Sequence, residues 1–335
     1  MEEFAEHKLR VAVIGLGKMG LLHASLLNVL PNVNLVAICD KSRIMRTVAS
    51  AALKGPLITE NLEDLMNLDL DAVYVTTPIP SHYGIIKEVY SQNIARNLFV
   101  EKTLTSRPSE SEELCKLSSN LNGVDMVGYM KRFSVTFNKA KGLLSQDAIG
   151  QLLSFEAYAY SSDFADSDKN PSASPNRGGV LKDLGSHVVD LALWFFGDLD
   201  IESVKGYKSS AVGSVDSASF EVCGSRSLHG KFDVSWIAKG YRMPEFGLRI
   251  VGSQGLLTVD DSRLKLLSNE YSNIVWYRQD LSDNVPFLLA EPEYFRENKS
   301  FVDSIVSGAK VEPNFKTALK VDNLLGKVEC KANEQ

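Results

Sequence analysis

Within residues 178–190, which read Gly-Gly-Val-Leu-Lys-Asp-Leu-Gly-Ser-His-Val-Val-Asp, Asp183 and His187 stand four positions apart. On a helix, positions i and i+4 share one face. The spacing therefore predicts a carboxylate and an imidazole directed into the same cleft, where the imidazole can take or return a proton near neutral pH. Each residue also has a plain structural reading. Asp183 could satisfy the amides of a helix N-terminus, and His187 could be a satisfied, partly buried ring. A second reactive pair, Glu101-Lys102, falls where an apolar run ends. A lysine at the carboxyl end of a strand can donate to a substrate oxygen and stabilise developing negative charge.

Gly15-Leu16-Gly17-Lys18-Met19-Gly20 follows a predicted strand and opens a predicted helix. Glycines at that spacing permit a tight turn and close backbone approach to a pyrophosphate, and the helix N-terminus receives the anion. Gly15, Gly17, Lys18, Met19 and Gly20 are the expected phosphate-facing residues. The second predicted strand ends in Asp40, twenty residues after Gly20, where an acid hydrogen-bonds a ribose 2′-hydroxyl and repels a 2′-phosphate. NAD is therefore favoured over NADP, although the nearby Lys41 and Arg43 soften the repulsion. Thr77, Pro78 and His82 lie just past the third clear strand. They are expected to border the nicotinamide side, as are Glu101 and Lys102, because ligands of open α/β sheets bind outside the carboxyl ends of the strands. His82 could equally be a surface helix residue.

The elements that must hold these residues follow from hydrophobic periodicity. Strands are predicted at 9–14, 33–39, 71–76, 97–100 and 124–127. They alternate with helices at 18–30, 41–53, from Pro80 to about 90, and from Pro108 to about 117, with a short helix at 61–66. That alternation implies a doubly wound parallel sheet. After Gly128 the pattern changes. A helix at 133–144, an alternating strand at 151–160, a long polar loop from Ser161 to Arg177 and the helix carrying His187 precede a run of strands. Those at 204–207, 218–222, 229–236, 246–251 and 256–259 argue for a largely antiparallel sheet, and helices are expected at 293–306 and 316–327. The polar loop is a plausible substrate selector, with Arg177 available to an anionic group.

Length and composition set the limits. At 335 residues the chain is longer than a single core usually grows, so two domains are expected. A net charge of −6 leaves no basic footprint, which argues against a nucleic-acid partner. The four cysteines show no C-x-x-C and no metal-ligand spacing, as expected of thiols in a reducing cytosol. No metal site is expected. The first residues are acidic and the apolar run at 11–16 is short, so neither a secretory leader nor a membrane span is expected. The expected location is cytoplasmic.

These residues together resemble the glucose–fructose oxidoreductase, inositol dehydrogenase and MocA family. The resemblance rests on Gly15 to Gly20, Thr77-Pro78 with His82, Glu101-Lys102, Gly128-Tyr129 with Arg132-Phe133, and Gly178-Gly179 through Asp183, His187 and Asp190. It implies an NAD(P)-binding Rossmann domain over residues 1–128. It further implies a substrate-binding and oligomerisation α/β domain over 129–335, with a large, open, mostly antiparallel sheet that often makes dimers or tetramers. The implied activity is hydride transfer between nicotinamide and a carbinol or carbonyl carbon of a sugar, an inositol-like polyol or a related alcohol, with Lys102, Asp183 and His187 as the catalytic trio. Two positions depart from the family pattern. Thr103 stands where Pro usually follows Glu-Lys, and Ile79 where Asn often follows Thr-Pro. Two other readings remain: a non-catalytic dinucleotide sensor on the same fold, and a reductase of a non-sugar carbonyl or double bond.

Overall fold

Buried strands and helices alternate through the first part of the chain. They are β1 (Leu9–Ile14), α1 (Lys18–Leu27), β2 (Val33–Cys39), α2 (Arg43–Ala52), β3 (Leu57–Thr59), β4 (Ala72–Val75), α3 (Ile79–Ser91), β5 (Asn97–Glu101), α4 (Pro108–Ser119) and β6 (Asp125–Gly128). This computed structural model describes residues 8–162, 178–209, 215–241, 243–269, 273–283 and 291–334. The six strands form one sheet in the order β3-β2-β1-β4-β5-β6, with every pairing parallel. Strands β4 and β5 are buried at every residue, as the centre of a parallel sheet covered on both faces requires. Strand β3 is a three-residue edge strand after Gly55-Pro56, where the sequence predicts no strand. Chain order reverses between β1 and β4, so their carboxyl ends flank the sheet's topological switch point.

The next part contains α5 (Val135–Ser145), β7 (Leu152–Tyr160), α6 (Ser186–Phe196), β8 (Leu199–Ser209), β9 (Val215–Gly224), β10 (His229–Ser235), β11 (Glu245–Gly252), β12 (Gly255–Asp260), β13 (Arg263–Ser268) and β14 (Ile274–Tyr277). Its eight strands run in the order β14-β13-β12-β11-β7-β10-β9-β8. The pairing of β7 with β10 is parallel, and the other neighbours are antiparallel. Strand β7 buries Phe155, Ala157 and Ala159 on one face and turns Tyr158 and Tyr160 to the other. Helix α6 packs on the buried face, against β7 and β11. It is apolar almost all round and buried accordingly. Gly247, paired with Tyr158, has no side chain because a Cβ there would stand 2.5 Å from the Tyr158 ring.

Two helices close the chain, α7 (Pro292–Ser307) and α8 (Phe315–Asn333). The molecule divides into two compact units, Met1–Gly128 with Phe287–Leu319, and Tyr129–Pro286 with Lys320–Gln335. Residues 291–319, which the sequence assigns to the second half, fold with the first. Helix α7 packs on α1, and its Phe301 meets the rings of Tyr74 and Phe99 edge-on. The start of α8 is tied to β6 where the Phe315 amide donates to Asp125 Oδ1 at 2.6 Å. Among the described residues no helix is long and apolar enough to cross a membrane.

Candidate active site

The candidate residues fall into two sets, one in each unit. In the first unit the turn after β1 has the shape a pyrophosphate needs. Gly15 has φ +97°, and a Cβ on Gly20 would stand 1.8 Å from the Gly15 carbonyl oxygen, so only glycine lets α1 start this close to the turn. Over Gly17 nothing lies within 4 Å of where a Cβ would be. Gly17 caps α1, whose first residues are Lys18 and Met19. The first amides of a helix lack intrahelical acceptors and favour an anion. The open space and these amides fit a bound diphosphate.

Asp40 sits past the end of β2, where its Oδ2 accepts from the Leu16 amide at 2.5 Å and its Oδ1 from the Ser42 amide at 2.6 Å. The carboxylate thus braces the glycine turn. Each oxygen keeps a further lone pair, which suits it to a ribose hydroxyl. Lys41 and Arg43 are exposed beside it. Thr76 Oγ1 donates to the Gly15 carbonyl at 2.7 Å, which binds the β1 and β4 ends together at the switch point. Thr77 and Pro78 follow as the approach to α3, Thr77 half-buried and Pro78 exposed. Ile79, where the family often has Asn, is the first residue of α3.

His82 is fully buried, and its ring is enclosed by main-chain carbonyls. Nε2 lies 2.7 Å from the Thr77 oxygen, and Nδ1 lies 3.1 and 3.2 Å from those of Thr103 and Leu104. Burial lowers its pKa against the opposing pull of those carbonyls. Full burial sets His82 apart from a surface helix residue. Its ring lies between the loop after β4 and the loop after β5, and in its neutral form it donates from one nitrogen to one of those carbonyls. Glu101 ends β5 and Lys102 follows it, half-buried. The Lys102–Thr103 peptide is cis.

In the second unit the candidate residues sit at the start of α6. Leu181–Gly185 forms a π-helical turn that runs directly into α6. Asp183 lies in that wide turn and His187 in the regular helix, so the single α-helix expected from the spacing is corrected. A π-turn advances less per residue, which leaves positions four apart about one turn from each other. The His187 ring is 6% exposed. It stands edge-on to Tyr129 at 6.3 Å and to Phe246 at 5.1 Å between ring centres. Lys131 Nζ lies 4.9 Å from the same Phe246 ring and pairs with Asp261 at 2.8 Å. Burial, reinforced by Asp322 and Asp190, raises the Tyr129 phenol well above its usual range, so it stays protonated at neutral pH.

Asp190 has a structural role. It forms a two-pronged ion pair with Arg132, Nε to Oδ2 at 2.8 Å and Nη2 to Oδ1 at 2.7 Å, with both residues buried. Tyr158 and Tyr160 stack on the sheet face opposite α6, and Tyr241 joins them. These three rings therefore lie on the far side of the sheet from His187. Trp236 is core, its indole N–H donating to Asp216 at 2.9 Å. The polar loop and Arg177 lie outside the described residues.

Two profiles of one family match the chain: the oxidoreductase family with an NAD-binding Rossmann fold over residues 9–129, and the GFO/IDH/MocA C-terminal domain over residues 137–258. The chain belongs to the GFO/IDH/MocA oxidoreductase family. It is similar to the scyllo-inositol 2-dehydrogenase (NAD(+)) of Bacillus subtilis, 28% identical over 60% of this chain and 58% of that protein. The chain thus spans a little over half the length of that relative. It is 24% identical to the inositol 2-dehydrogenase of Rhizobium meliloti over 91% of both chains. Among solved structures it shares its fold with a levoglucosan dehydrogenase complexed with NADH and levoglucosan, TM-score 0.84 at 19% identity, covering 98% of each chain. It likewise shares it with the myo-inositol 2-dehydrogenase of Lactobacillus plantarum, TM-score 0.79 at 22% identity and 98% coverage of each.

Several residues of this GFO/IDH/MocA protein escape a reading by motif. His23 is buried in α1 and Asn298 in α7, Arg46 clasps the Asp40 and Lys41 carbonyls at 2.8 and 3.0 Å, and Lys131 is buried in its pair with Asp261. His23 carries a visible signal. It lies three residues after Gly20 and four before Leu27, on the stripe of α1 that its period assigns to the core.

Proposed function

We propose that this protein is an NAD(P)-dependent dehydrogenase or reductase, NAD-preferring, acting on a CH–OH or carbonyl carbon of a sugar, an inositol-like polyol or a related substrate. One observation carries the reading: Lys102 follows the end of β5 in the same sheet whose switch point holds the open glycine turn and Asp40. A nucleotide-sensing protein needs the turn and the acid but has no use for a cationic donor past the neighbouring strand end.

When bound, the nicotinamide supplies the hydride acceptor or donor. Gly15, Gly17, Lys18, Met19 and Gly20 would receive the pyrophosphate on their backbone, and Asp40 the adenosine ribose, with its charge disfavouring a 2′-phosphate. Thr77, Pro78 and Glu101 would border the nicotinamide side. Lys102 would donate to the reacting substrate oxygen and stabilise its developing charge. His187 would take the hydroxyl proton in oxidation and return it in reduction. Asp183 would hold a substrate hydroxyl or orient its neighbours. The relatives named for inositols and levoglucosan support the substrate class. The protein is proposed to be cytoplasmic and a homodimer or homotetramer; the tyrosine cluster on the outer sheet face supports such an assembly.

The test is a panel of polyols, free hexoses and nucleotide-linked sugars with NAD and with NADP, followed by absorbance of the reduced nicotinamide. Turnover with a polyol or sugar and NAD is the expected result. Tight NADH binding with no turnover on any member would establish the sensor reading instead.

A further inference from the structure

The first unit buries a polar chain that none of the proposed roles explains. His23, on α1, is fully buried. Its Nε2 lies 2.8 Å from Glu101 Oε1 and its Nδ1 lies 3.0 Å from Asn298 Oδ1 on α7. Asn298 Nδ2 donates to the Tyr294 carbonyl at 2.6 Å, which fixes the amide with its oxygen toward the ring. Glu101 Oε2 in turn accepts from the Lys102 amide at 3.3 Å. The ring is enclosed by aromatics, with centres 4.8 Å from Phe99, 5.6 Å from Tyr74 and 6.3 Å from Tyr294.

The partners determine the protons. An amide oxygen only accepts, so Nδ1 carries a hydrogen. A carboxylate also only accepts, so the contact at Nε2 requires a further proton held between ring and carboxyl group. His23 and Glu101 therefore share one proton in a buried site, where the loss of such a bond is costly. A satisfied core histidine needs no partner at the end of β5. This one holds the side chain proposed to border the nicotinamide and, through Oε2, the backbone from which Lys102 projects.

We propose that His23 is a positioning residue for the nicotinamide end of the dinucleotide site, and that Asn298 orients it from α7. The inference rests on the oxidoreductase reading above. It makes α7, almost two hundred residues after β5 in sequence, a working part of the dinucleotide unit. The adenosine end rests on other groups, the α1 amides and Asp40, and is independent of this chain.

The experiment compares NADH with ADP, which has the adenosine and diphosphate but lacks the nicotinamide riboside. Affinities are measured by titration calorimetry for wild type, His23→Ala, His23→Gln and Asn298→Ala, with Tm recorded for each. His23→Ala should weaken NADH about ten-fold or more and leave ADP within about two-fold, since a buried hydrogen-bond partner is lost at one end only. His23→Gln, which keeps a donor for Glu101, should recover part of the loss. Asn298→Ala, which leaves α1 untouched, should show the same selectivity more weakly and serves if His23→Ala folds poorly. Equal loss of both ligands, or loss of neither, in these variants would overturn the inference and leave the oxidoreductase reading standing. Wild-type protein that binds neither ligand would overturn both.

Discussion

In the first unit the groups arranged for a dinucleotide are mostly backbone. The Gly15–Gly20 turn, the first amides of α1 and the loops after β4 and β5 are set by glycine packing and strand ends, then fastened by two buried histidines. In the second unit the groups proposed to do chemistry are side chains. Asp183 and His187 project from a π-turn and a buried helix that is anchored by the Arg132–Asp190 pair and by packing on Phe246. The contrast has a physical basis. The pyrophosphate is the same in every nicotinamide cofactor, so a fixed backbone cradle serves it. A proton-transferring group must match one reacting oxygen, which calls for a rotamer locked by its neighbours.

The comparison breaks first at His187. His187→Ala should lower turnover by about 10²–10⁴-fold and leave NADH affinity unchanged in a binding titration. A fully active variant would remove His187 from the chemistry, and a variant that lost only NADH binding would place it with the cofactor.

Anchoring in the second unit is tested next. Asp190→Ala leaves the Arg132 guanidinium buried without its carboxylate, and loss of one partner of such a pair costs about 3–5 kcal/mol. Thermal denaturation should show a Tm several degrees lower. The double variant Arg132→Met with Asp190→Leu should be markedly less destabilised, because no buried charge is stranded. If the single and double variants fall equally, the pair is not what anchors α6.

Asp40 sharpens the other half. Asp40→Asn keeps the shape but loses the charge that accepts from Leu16 and faces the ribose. Hydrogen bonds to charged groups contribute about 1.5–3 kcal/mol, so NADH should weaken about ten-fold or more and the preference for NADH over NADPH should narrow. An unchanged preference would show that the carboxylate does not select the cofactor.

The smallest effect concerns His82. Burial holds its pKa below the usual imidazole range, so the unfolded chain binds the proton more readily than the folded one. Its contribution to stability is fully present above about pH 6.5 and is lost as the pH falls toward the lowered value. Tm measured from pH 7 down to pH 5 should drop more steeply in wild type than in His82→Gln. Parallel slopes would show that the ring is protonated in the fold as readily as outside it.

The sequence alone determined the parts governed by local rules. The G-x-G-x-x-G turn between a strand and a helix, the acid at the end of the second strand and the change from βα alternation to consecutive strands are all local patterns, and each is present. The helical character of the stretch carrying Asp183 and His187 was legible, though not its π-turn, because four residues make about one turn in either helix type. Only the tertiary structure decided which polar residues act on one another. Asp190 is consumed by Arg132, the ring of His82 is set among three carbonyls and His23 is held by Glu101 and Asn298. It also decided that residues 291–319 belong to the first unit. These are contacts between residues as much as 275 positions apart, and helix periodicity says which face is buried without saying what it is buried against.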